Sequence, residues 1–226
     1  MIIIIGASKG IGRFLFDEFQ KEELEVVGTY NSTTVNADDN FFKVDISEET
    51  SINAFISNLS LLGKKIVLIN CAGISYNSFA HKADMDKWRK VIDVNLIGTF
   101  NVTRLFLPYM RKMNYGRIIN LSSVVTKYPT PGTSAYTASK AAINALTKCL
   151  ALENSSKGIT INSINLGYTN AGMGINDVPE EYRLLMMDRI PMHRFCNPVE
   201  VLSTIQYIIN TEYVTGSIID INGGLI

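Results

Sequence analysis

Short apolar runs rich in β-branched residues alternate along the chain with stretches of mixed polarity. This order predicts parallel strands connected by helices, because each helix carries the chain back to start the next strand in the same direction. Several runs are apolar throughout, which is typical of strands covered on both faces of a sheet. The predicted strands are residues 2–5, 25–29, 41–44, 66–69, 117–121, 160–166 and 217–221.

The stretches between the strands carry helical periodicity. Ile52, Phe55, Ile56 and Leu59 repeat at the i, i+3, i+4, i+7 spacing of one buried helix face. The other predicted helices are residues 10–22, 84–113 with a break near Gly98, 135–153 and 198–210.

One connection is unusually short. Residues 31–40 leave only about ten positions between the second and third strands, the lower limit for a parallel crossover, so we expect the covering helix to be missing there. Right-handed crossovers elsewhere predict a doubly wound sheet with helices on both faces, in a single domain over residues 1–226. Asp45, followed by Glu48, is a candidate cap for the helix after the third strand.

Composition narrows the class of protein. The chain has 226 residues, 46% of them hydrophobic, and its 21 Lys and Arg balance 21 Asp and Glu, so no net charge attracts nucleic acid or an anionic membrane. No run approaches the roughly 18 apolar residues of a membrane span, and no signal peptide is apparent. Cys71, Cys149 and Cys196 are scattered without a CxxC pair. We therefore expect no metal site, no disulfide framework and a cytoplasmic location.

A glycine-rich loop follows the first predicted strand. The sequence GASKGIG, residues 6–12, places Gly6, Gly10 and Gly12 directly before a helix. Glycines there allow a sharp turn and bring backbone N–H groups to a pyrophosphate at the helix N-terminus. A turn without a ligand is the alternative, but the position after the first strand of an alternating β/α chain favours a dinucleotide site.

The end of the second strand indicates which dinucleotide is bound. An acidic residue there holds a ribose 2′-hydroxyl, whereas a basic residue nearby holds a 2′-phosphate. The sequence GTYNSTT, residues 28–34, contains no acid, and Lys9 in the glycine loop is placed to reach a 2′-phosphate beside Asn31 and Ser32. NADP is therefore favoured over NAD, although an ordinary solvated surface lysine remains the alternative for Lys9.

Two central motifs are weak on their own. NCAG, residues 70–73, is either a plain turn or a place where the backbone approaches a cofactor. DVNLIG, residues 93–98, places Asn95 in a helix just before a glycine, where it is either a local cap or a polar group held for use.

The fifth strand and the helix after it carry the candidate chemistry. Ser122 and Ser123 end the strand, at the edge where such sheets bind ligands. Tyr136 and Lys140 are four residues apart and share one helix face. A fixed ammonium beside a phenol favours the phenolate, which makes a tyrosine useful for proton transfer near neutral pH. A half-buried tyrosine with a snorkelling lysine is the structural alternative.

Together these motifs resemble the short-chain dehydrogenase/reductase family, with its G-x-x-x-G-x-G loop, N-N-A-G, Ser and Y-x-x-x-K. The similarity covers nearly the whole chain, and INLSSVV, AYTASKAA and IPMHRFCNPVEV look most like the beta-ketoacyl-acyl carrier protein reductase type. The resemblance implies a three-layer Rossmann fold with a seven-stranded, mainly parallel sheet. It also implies an NAD(P)-dependent oxidoreductase that interconverts carbonyls and alcohols.

The resemblance assigns roles to the motif residues. Tyr136 would be the general acid/base, Lys140 would lower its pKa and hold the nicotinamide ribose, Ser123 would orient the substrate oxygen, and Asn95 would maintain a proton-relaying water. The residues that the resemblance and the loop together place at the cofactor are Gly6, Ser8, Lys9, Gly10, Ile11, Gly12, Tyr30, Asn31, Ser32, Asp45, Ile46, Asn70, Ala72, Gly73, Tyr136, Lys140, Gly167 and Thr169.

The chain departs from the family pattern at four positions. Ile5 replaces a Thr before the glycine loop, Cys71 replaces the second Asn of N-N-A-G, Leu166 replaces a Pro, and Ala171 replaces a Thr that commonly bonds the carboxamide. These changes concern cofactor affinity rather than the catalytic set. The backbone of Thr169 is then the expected carboxamide anchor.

Residues 172–195 stand where relatives carry a substrate lid. The segment is rich in Met and Leu, which suits a largely apolar substrate, although packing of residues 184–187 on the core explains the pattern equally well. His193 and Arg194 are expected at a surface or interface. Relatives form tetramers or dimers through helices corresponding to residues 97–113 and 135–153. A small-residue face suits such packing: Ala138, Ala141, Ala142 and Ala145.

Two further functions remain open at this stage. One is a nucleotide-sensing or scaffold protein that keeps the fold without turnover. The other is a nucleotide-sugar or pterin reductase on the same fold, which would differ only in its lid.

Overall fold

A computed structural model of the chain describes residues 1–33, 40–172 and 179–226. Its strands are β1 (Ile2–Ile5), β2 (Val26–Tyr30), β3 (Phe41–Lys43), β4 (Ile66–Asn70), β5 (Gly116–Ser123), β6 (Ile159–Leu166) and β7 (Ile218–Ile221). Its helices are α1 (Gly10–Lys21), α2 (Glu49–Ser57), α3 (Met85–Ile92), α4 (Thr99–Met113), α5 (Ser134–Asn154), α6 (Glu180–Arg189) and α7 (Pro198–Asn210). Short 3-10 turns cover Ala80–Lys82, Val124–Thr126 and Ser155–Lys157.

The strands form one seven-stranded sheet in the order β3-β2-β1-β4-β5-β6-β7. Each neighbouring pair is parallel. The predicted doubly wound α/β fold is therefore confirmed. Strand order reverses between β1 and β4, and the crevice at the carboxyl ends of these strands is where such sheets bind ligands.

The sheet has a hydrophobic core on each face because successive strand residues point to opposite sides. Ile3 and Ile5 of β1 pack with residues of α2, α4 and α5, whereas Ile2 and Ile4 pack with residues of α1 and α7. All four isoleucines are at most 6% exposed, which explains why the strand is apolar throughout.

The predicted break in the helix at residues 84–113 is a π-helical turn. The turn covers Asp93–Gly98 and joins α3 to α4. Gly98 is required there, since a Cβ at this position would stand 2.7 Å from the Ile46 side chain. A π turn inserts an extra residue into the helix and is often found at functional sites.

Two details differ from expectation. Asp45 does not cap α2, which begins at Glu49 with Glu48 in the N-cap position. Instead the Asp45 carboxylate accepts hydrogen bonds from the N–H and hydroxyl of Ser47, at 2.9 and 2.6 Å, so it closes a turn ahead of the helix. Residues 180–189 form the helix α6, whereas the sequence predicted only a lid.

The short link between β2 and β3 was expected to lack a helix. Residues 31–33 and 40 are not helical, and the rest of the link, residues 34–39, lies outside the described residues. Within the three described ranges, no helix is long and apolar enough to span a bilayer.

Candidate active site

The glycine loop is a compact turn that ends at the uncapped N-terminus of α1. Gly6 has φ +82° and Gly10 has φ +58°, values that favour glycine. A Cβ on Gly6 would stand 2.7 Å from the Ala72 Cα, and a Cβ on Gly12 would collide with the Gly6 carbonyl. The residues present therefore fit the backbone cradle of a dinucleotide pyrophosphate.

Thr29 of β2 holds this loop in place, a role that the sequence did not reveal. Its hydroxyl accepts a hydrogen bond from Gly6 N at 3.0 Å, and its carbonyl accepts one from Ala7 N at 2.7 Å. The side chain is buried. Ile5 replaces the family threonine before the loop, and Thr29 provides a hydroxyl there from the neighbouring strand.

The loop and the end of β2 form the far side of the crevice. Lys9 is exposed, as are Asn31 and Ser32, while Ser8, Ile11 and Tyr30 are half-buried. Hydrogen bonds to the Asp45 carboxylate, first from Ser47 and also from Asn31, hold the pKa of Asp45 below its ordinary value. Asn31 and Asp45 are thus neighbours, as a shared cofactor site requires.

Two predicted cofactor residues have their side chains elsewhere. Ile46 is 6% exposed and packs in the core against Gly98. Asn70 is 4% exposed, and its Nδ2 donates to Asn120 Oδ1 at 2.8 Å, so it cross-links β4 to β5. Each side chain is taken up by packing or hydrogen bonding inside the protein, and the binding of a cofactor by these two residues stays a prediction. Only their backbone groups remain for a cofactor.

Asn95 lies in the π turn and faces the segment after β4. Its Oδ1 accepts from Ile74 N at 2.8 Å, while its Nδ2 donates to Ile74 O at 2.9 Å and to Ser139 Oγ at 3.1 Å. The residue is 1% exposed. The Asn95 side chain therefore bonds to residues distant in the sequence and does not cap its own helix.

The two serines at the end of β5 have different partners. Ser122 Oγ donates to the carbonyl of Lys140 at 3.1 Å, so it anchors α5 to the sheet. Ser123 Oγ accepts from Val125 N at 3.3 Å and also lies beside the Tyr136 phenol. Of the two, only Ser123 is placed to meet a substrate oxygen.

Tyr136 and Lys140 share one face of α5, as predicted. The Lys140 Nζ lies 5.6 Å from the centroid of the Tyr136 ring and donates to the carbonyl of Leu121 at 2.6 Å. Lys140 is 6% exposed. Burial lowers its pKa to about 8, and neighbouring Cys71 opposes this shift.

Burial is the largest influence on the pKa of the Tyr136 phenol. Burial raises the pKa of Tyr136 above its ordinary value, and the Ser123 hydroxyl lowers it. The phenol is thus protonated at neutral pH, the form that donates a proton.

The segment after β4 completes the site around Lys140. A Cβ on Gly73 would stand 3.6 Å from Lys140 Nζ and 3.4 Å from Asn95 Oδ1, so this glycine faces both groups. Cys71, where the family has asparagine, has a pKa raised to about 12 by burial and is a neutral thiol. Ala72 packs against Gly6, which joins this segment to the glycine loop.

The stretch after β6 turns towards the same edge of the sheet. Thr169 forms a parallel bridge with Cys196 that uses the peptide groups of Tyr168 and Asn170. The N–H and C=O of Thr169 therefore point away from Cys196. Gly167 packs against Asn222, where a Cβ would stand 2.9 Å from the Asn222 Cα.

The lid forms a separate small core. Met186, Ile190 and Phe195 are buried together, with Tyr128, Tyr168 and Tyr182 packed against them. Leu184 and Leu185 are 58% and 44% exposed, so core packing does not explain that run as a whole. Residues 173–178 of the predicted lid lie outside the described residues.

Polar contacts join α6 to the stretch after β6 and to the loop between Ser123 and Tyr136. Tyr168 and Tyr182 place their hydroxyl oxygens 3.4 Å apart, and Arg189 donates to the Tyr128 hydroxyl at 3.2 Å. The sequence placed Tyr182 in the expected lid but did not single out Tyr128 and Tyr168, because their spacing carries no periodic signal. Arg194, expected at a surface, pairs with Glu200 at 2.7 Å.

The described parts of the chain contain no cluster of three His, Cys, Asp or Glu residues able to hold a metal ion.

Comparisons with known proteins identify one matching family model and several relatives. The chain matches the family model described as short chain dehydrogenase over residues 1–181. It is 34% identical to a 3-oxoacyl-(acyl-carrier-protein) reductase of Thermotoga maritima, over 99% of this chain and 96% of that protein. It is 32% identical to glucose 1-dehydrogenase 2 of Bacillus subtilis, over 99% of this chain and 93% of that protein. Nodulation protein G of Azospirillum brasilense is 38% identical over 80% of this chain and 74% of its own length.

Proposed function

The chain belongs to the short-chain dehydrogenase family and is an NAD(P)-dependent oxidoreductase, and on this premise we propose that it interconverts a carbonyl compound and an alcohol with NADP(H). The observation that carries the proposal is the convergence of Ser123, Tyr136 and Lys140 at the carboxyl end of β5, with Asn95 behind them.

Tyr136 is the general acid in the direction of reduction. Its phenol is protonated at neutral pH because burial raises its pKa. It donates this proton to the carbonyl oxygen of the substrate as negative charge develops there. Ser123 lies beside the phenol and donates a hydrogen bond to the same oxygen, which stabilises that charge. In oxidation, the phenolate takes the proton back from the alcohol.

Lys140 supplies positive charge next to this proton transfer. Its ammonium is buried and has the Leu121 carbonyl as an acceptor at 2.6 Å, which leaves two of its three N–H donors for a ribose or a water. Asn95 holds the Ile74 peptide, and through it the segment that faces Lys140. The two remaining donors of Lys140 support its holding the nicotinamide ribose, one of the roles that the family resemblance implies.

The crevice fits a nicotinamide dinucleotide. We expect the glycine loop and the N-terminus of α1 to receive the pyrophosphate, and the Thr169 backbone to hold the carboxamide. A bound nicotinamide supplies or accepts the hydride. The protein contributes the proton donor and the orientation of the reacting groups.

NADP(H) is favoured over NAD(H) by the region after β2. Tyr30, Asn31 and Ser32 offer hydrogen-bonding groups and no carboxylate, and the exposed Lys9 stands at the start of α1. We expect Lys9→Ala to weaken binding of NADPH and to leave NADH binding unchanged, as measured by fluorescence titration. Lys21→Ala, at the other end of α1, is the control. Tighter binding of NADH by the wild type would overturn this assignment.

A 3-oxoacyl-like substrate suits the exposed Leu184 and Leu185 of the lid, and one relative carries the name 3-oxoacyl reductase. A polar substrate such as a sugar is the second candidate. The hydroxyls of Tyr168 and Tyr182 and the Arg189–Tyr128 contact favour it, and another relative is named glucose 1-dehydrogenase.

A panel of 3-oxoacyl esters and simple ketones with NADPH, and of sugars with NADP⁺, assayed by the change in NADPH absorbance, tests the proposal. We expect turnover of at least one carbonyl class, abolished by Tyr136→Phe while NADPH still binds. If folded, NADPH-binding protein turns over no member of the panel, the sensor function is favoured instead. No feature of the described site supports that function at present.

The same proposal covers the assembly and location of the protein. Ala138, Ala141 and Ala145 are exposed on α5, and Leu152 is 83% exposed further along that helix. This face supports a homotetramer or dimer, and a monomer in sedimentation at micromolar concentration would contradict it.

The three free cysteines are consistent with a reducing cytoplasm. Residues 1–226 are proposed to form one domain, with a lid at residues 172–195.

A further inference from the structure

The side chain of Asn95 is fully engaged with protein groups. Both of its N–H donors and its oxygen bond to other residues: two of these bonds go to the Ile74 peptide, and the third goes to Ser139 Oγ at 3.1 Å. Since the amide lies out of solvent, it acts as a clamp between the segment after β4 and helix α5.

Ser139 is the α5 side of this clamp. It is 0% exposed, and its hydroxyl does two things at once. It accepts the hydrogen bond from Asn95 and donates one to the carbonyl of Tyr136 at 2.7 Å. A serine that bonds back to a carbonyl in the preceding turn changes the local shape of a helix. The turn concerned is the one that carries Tyr136 and ends at Lys140.

The other side of the clamp lies against Lys140. Asn95 fixes both polar groups of the Ile74 peptide, and Gly73 next to it faces Lys140 Nζ, with 3.6 Å to the position of a Cβ. The Ser139 hydroxyl, through Asn95, therefore connects the helix that carries Tyr136 and Lys140 to the segment that faces the Lys140 ammonium.

We propose that Ser139 is a positioning residue: by joining Asn95 to the backbone of Tyr136, it sets the spacing between Tyr136, Lys140 and the segment at Gly73. The inference rests on the proposed function only in taking Tyr136 and Lys140 as the proton-transfer pair. Ser139 itself touches neither substrate nor cofactor.

Ser139→Ala tests the proposal, with Ser134→Ala as the matched control. Ser134 is also a serine in the first turns of α5, and its hydroxyl bonds only to Trp88 Nε1, at 3.2 Å. We expect Ser139→Ala to lower kcat at least about tenfold, or about 1.4 kcal/mol. The KM for the carbonyl and the Kd for NADPH should change less than about threefold, because the substitution leaves the binding surfaces in place. Ser134→Ala should keep wild-type kinetics, and Ser139→Thr, which retains the hydroxyl, should recover part of the loss.

The pH profile separates positioning from a general loss of stability. The titratable groups around Lys140 are Tyr136 on its own helix and Cys71 after β4. Loosening the turn admits water to the buried ammonium, so the alkaline limb of the rate should move to higher pH in Ser139→Ala. The proposal would be overturned if Ser139→Ala kept the alkaline limb of the wild type and had the same kcat as Ser134→Ala.

A measurement without substrate or cofactor keeps the test independent of the proposed function. The Ile74 amide, which donates to Asn95 Oδ1, should exchange its hydrogen faster in Ser139→Ala than in Ser134→Ala. If Ser139→Ala does not fold, Ser139→Cys fills the same space with a weaker donor and should show the faster exchange. Wild-type exchange in that variant would contradict the clamp. Altered exchange in a protein that reduces no carbonyl would instead contradict the proposed function alone.

Discussion

The alkaline limit of activity follows from the burial of Lys140. Removal from water lowers the pKa of its ammonium from the ordinary 10.5 to about 8. If the charged form is required for proton transfer, then activity falls as pH rises through this value. The ratio kcat/KM for the reduced cofactor reports the pKa values of the free enzyme, which is the state that this structure describes.

The size of the effect follows from the pKa. Lys140 should be about 90% charged at about pH 7 and about 10% charged at about pH 9, since each unit changes the ratio of ammonium to amine tenfold. We therefore expect kcat/KM for NADPH to fall about tenfold between these values, and about tenfold for each further unit. The pKa values of Tyr136 and Cys71 are both raised by burial, so neither produces this limb.

Initial rates at saturating carbonyl, measured across buffers of constant ionic strength, give the profile. Cys71→Ala is the control, because a neutral thiol contributes no titration near pH 8. A kcat/KM that stays constant to about pH 10, or a limb that disappears in Cys71→Ala, would refute the assignment to Lys140.

Three other predictions concern stability and binding. Arg117→Met should lower the free energy of unfolding by about 3–5 kcal/mol in urea titrations, because the 3%-exposed guanidinium donates to Ile209 O and Gly158 O. Glu212, the exposed partner of Arg117, is the control: Glu212→Gln should lower the free energy of unfolding by less than about 1 kcal/mol. Equal losses in the two variants would contradict this account. His193→Gly should stabilise the fold by about 1 kcal/mol, because His193 has φ +49°; a lower urea midpoint would contradict it. Gly12→Ala should weaken NADPH binding at least about tenfold in fluorescence titrations, because its Cβ would push against the Gly6 carbonyl, and wild-type affinity would count against the loop as the phosphate site.

Features set by local spacing could be predicted from the sequence. The four isoleucines of β1, the helix break at Gly98 and the shared face of Tyr136 and Lys140 each depend on a few neighbouring residues. The glycine loop belongs to the same group, because its position after the first strand fixes its environment.

Features set by packing between distant residues could not be predicted from the sequence. Whether Asn70 faces a cofactor or Asn120 depends on a strand about fifty residues away. The pKa of Tyr136 depends on how deeply the phenol is buried and on its contact with the Ser123 hydroxyl. Ser139 stands inside the Y-x-x-x-K motif, yet its partner Asn95 is 44 positions distant.

Transfer of label from NADPH deuterated at the nicotinamide C4 tests the central claim most directly. With an accepted carbonyl compound, the wild type should place deuterium on the carbonyl carbon of the alcohol product. Tyr136→Phe should bind the cofactor with unchanged affinity and form no labelled alcohol. Labelled product from Tyr136→Phe at the wild-type rate would contradict the assignment of Tyr136 as the proton donor.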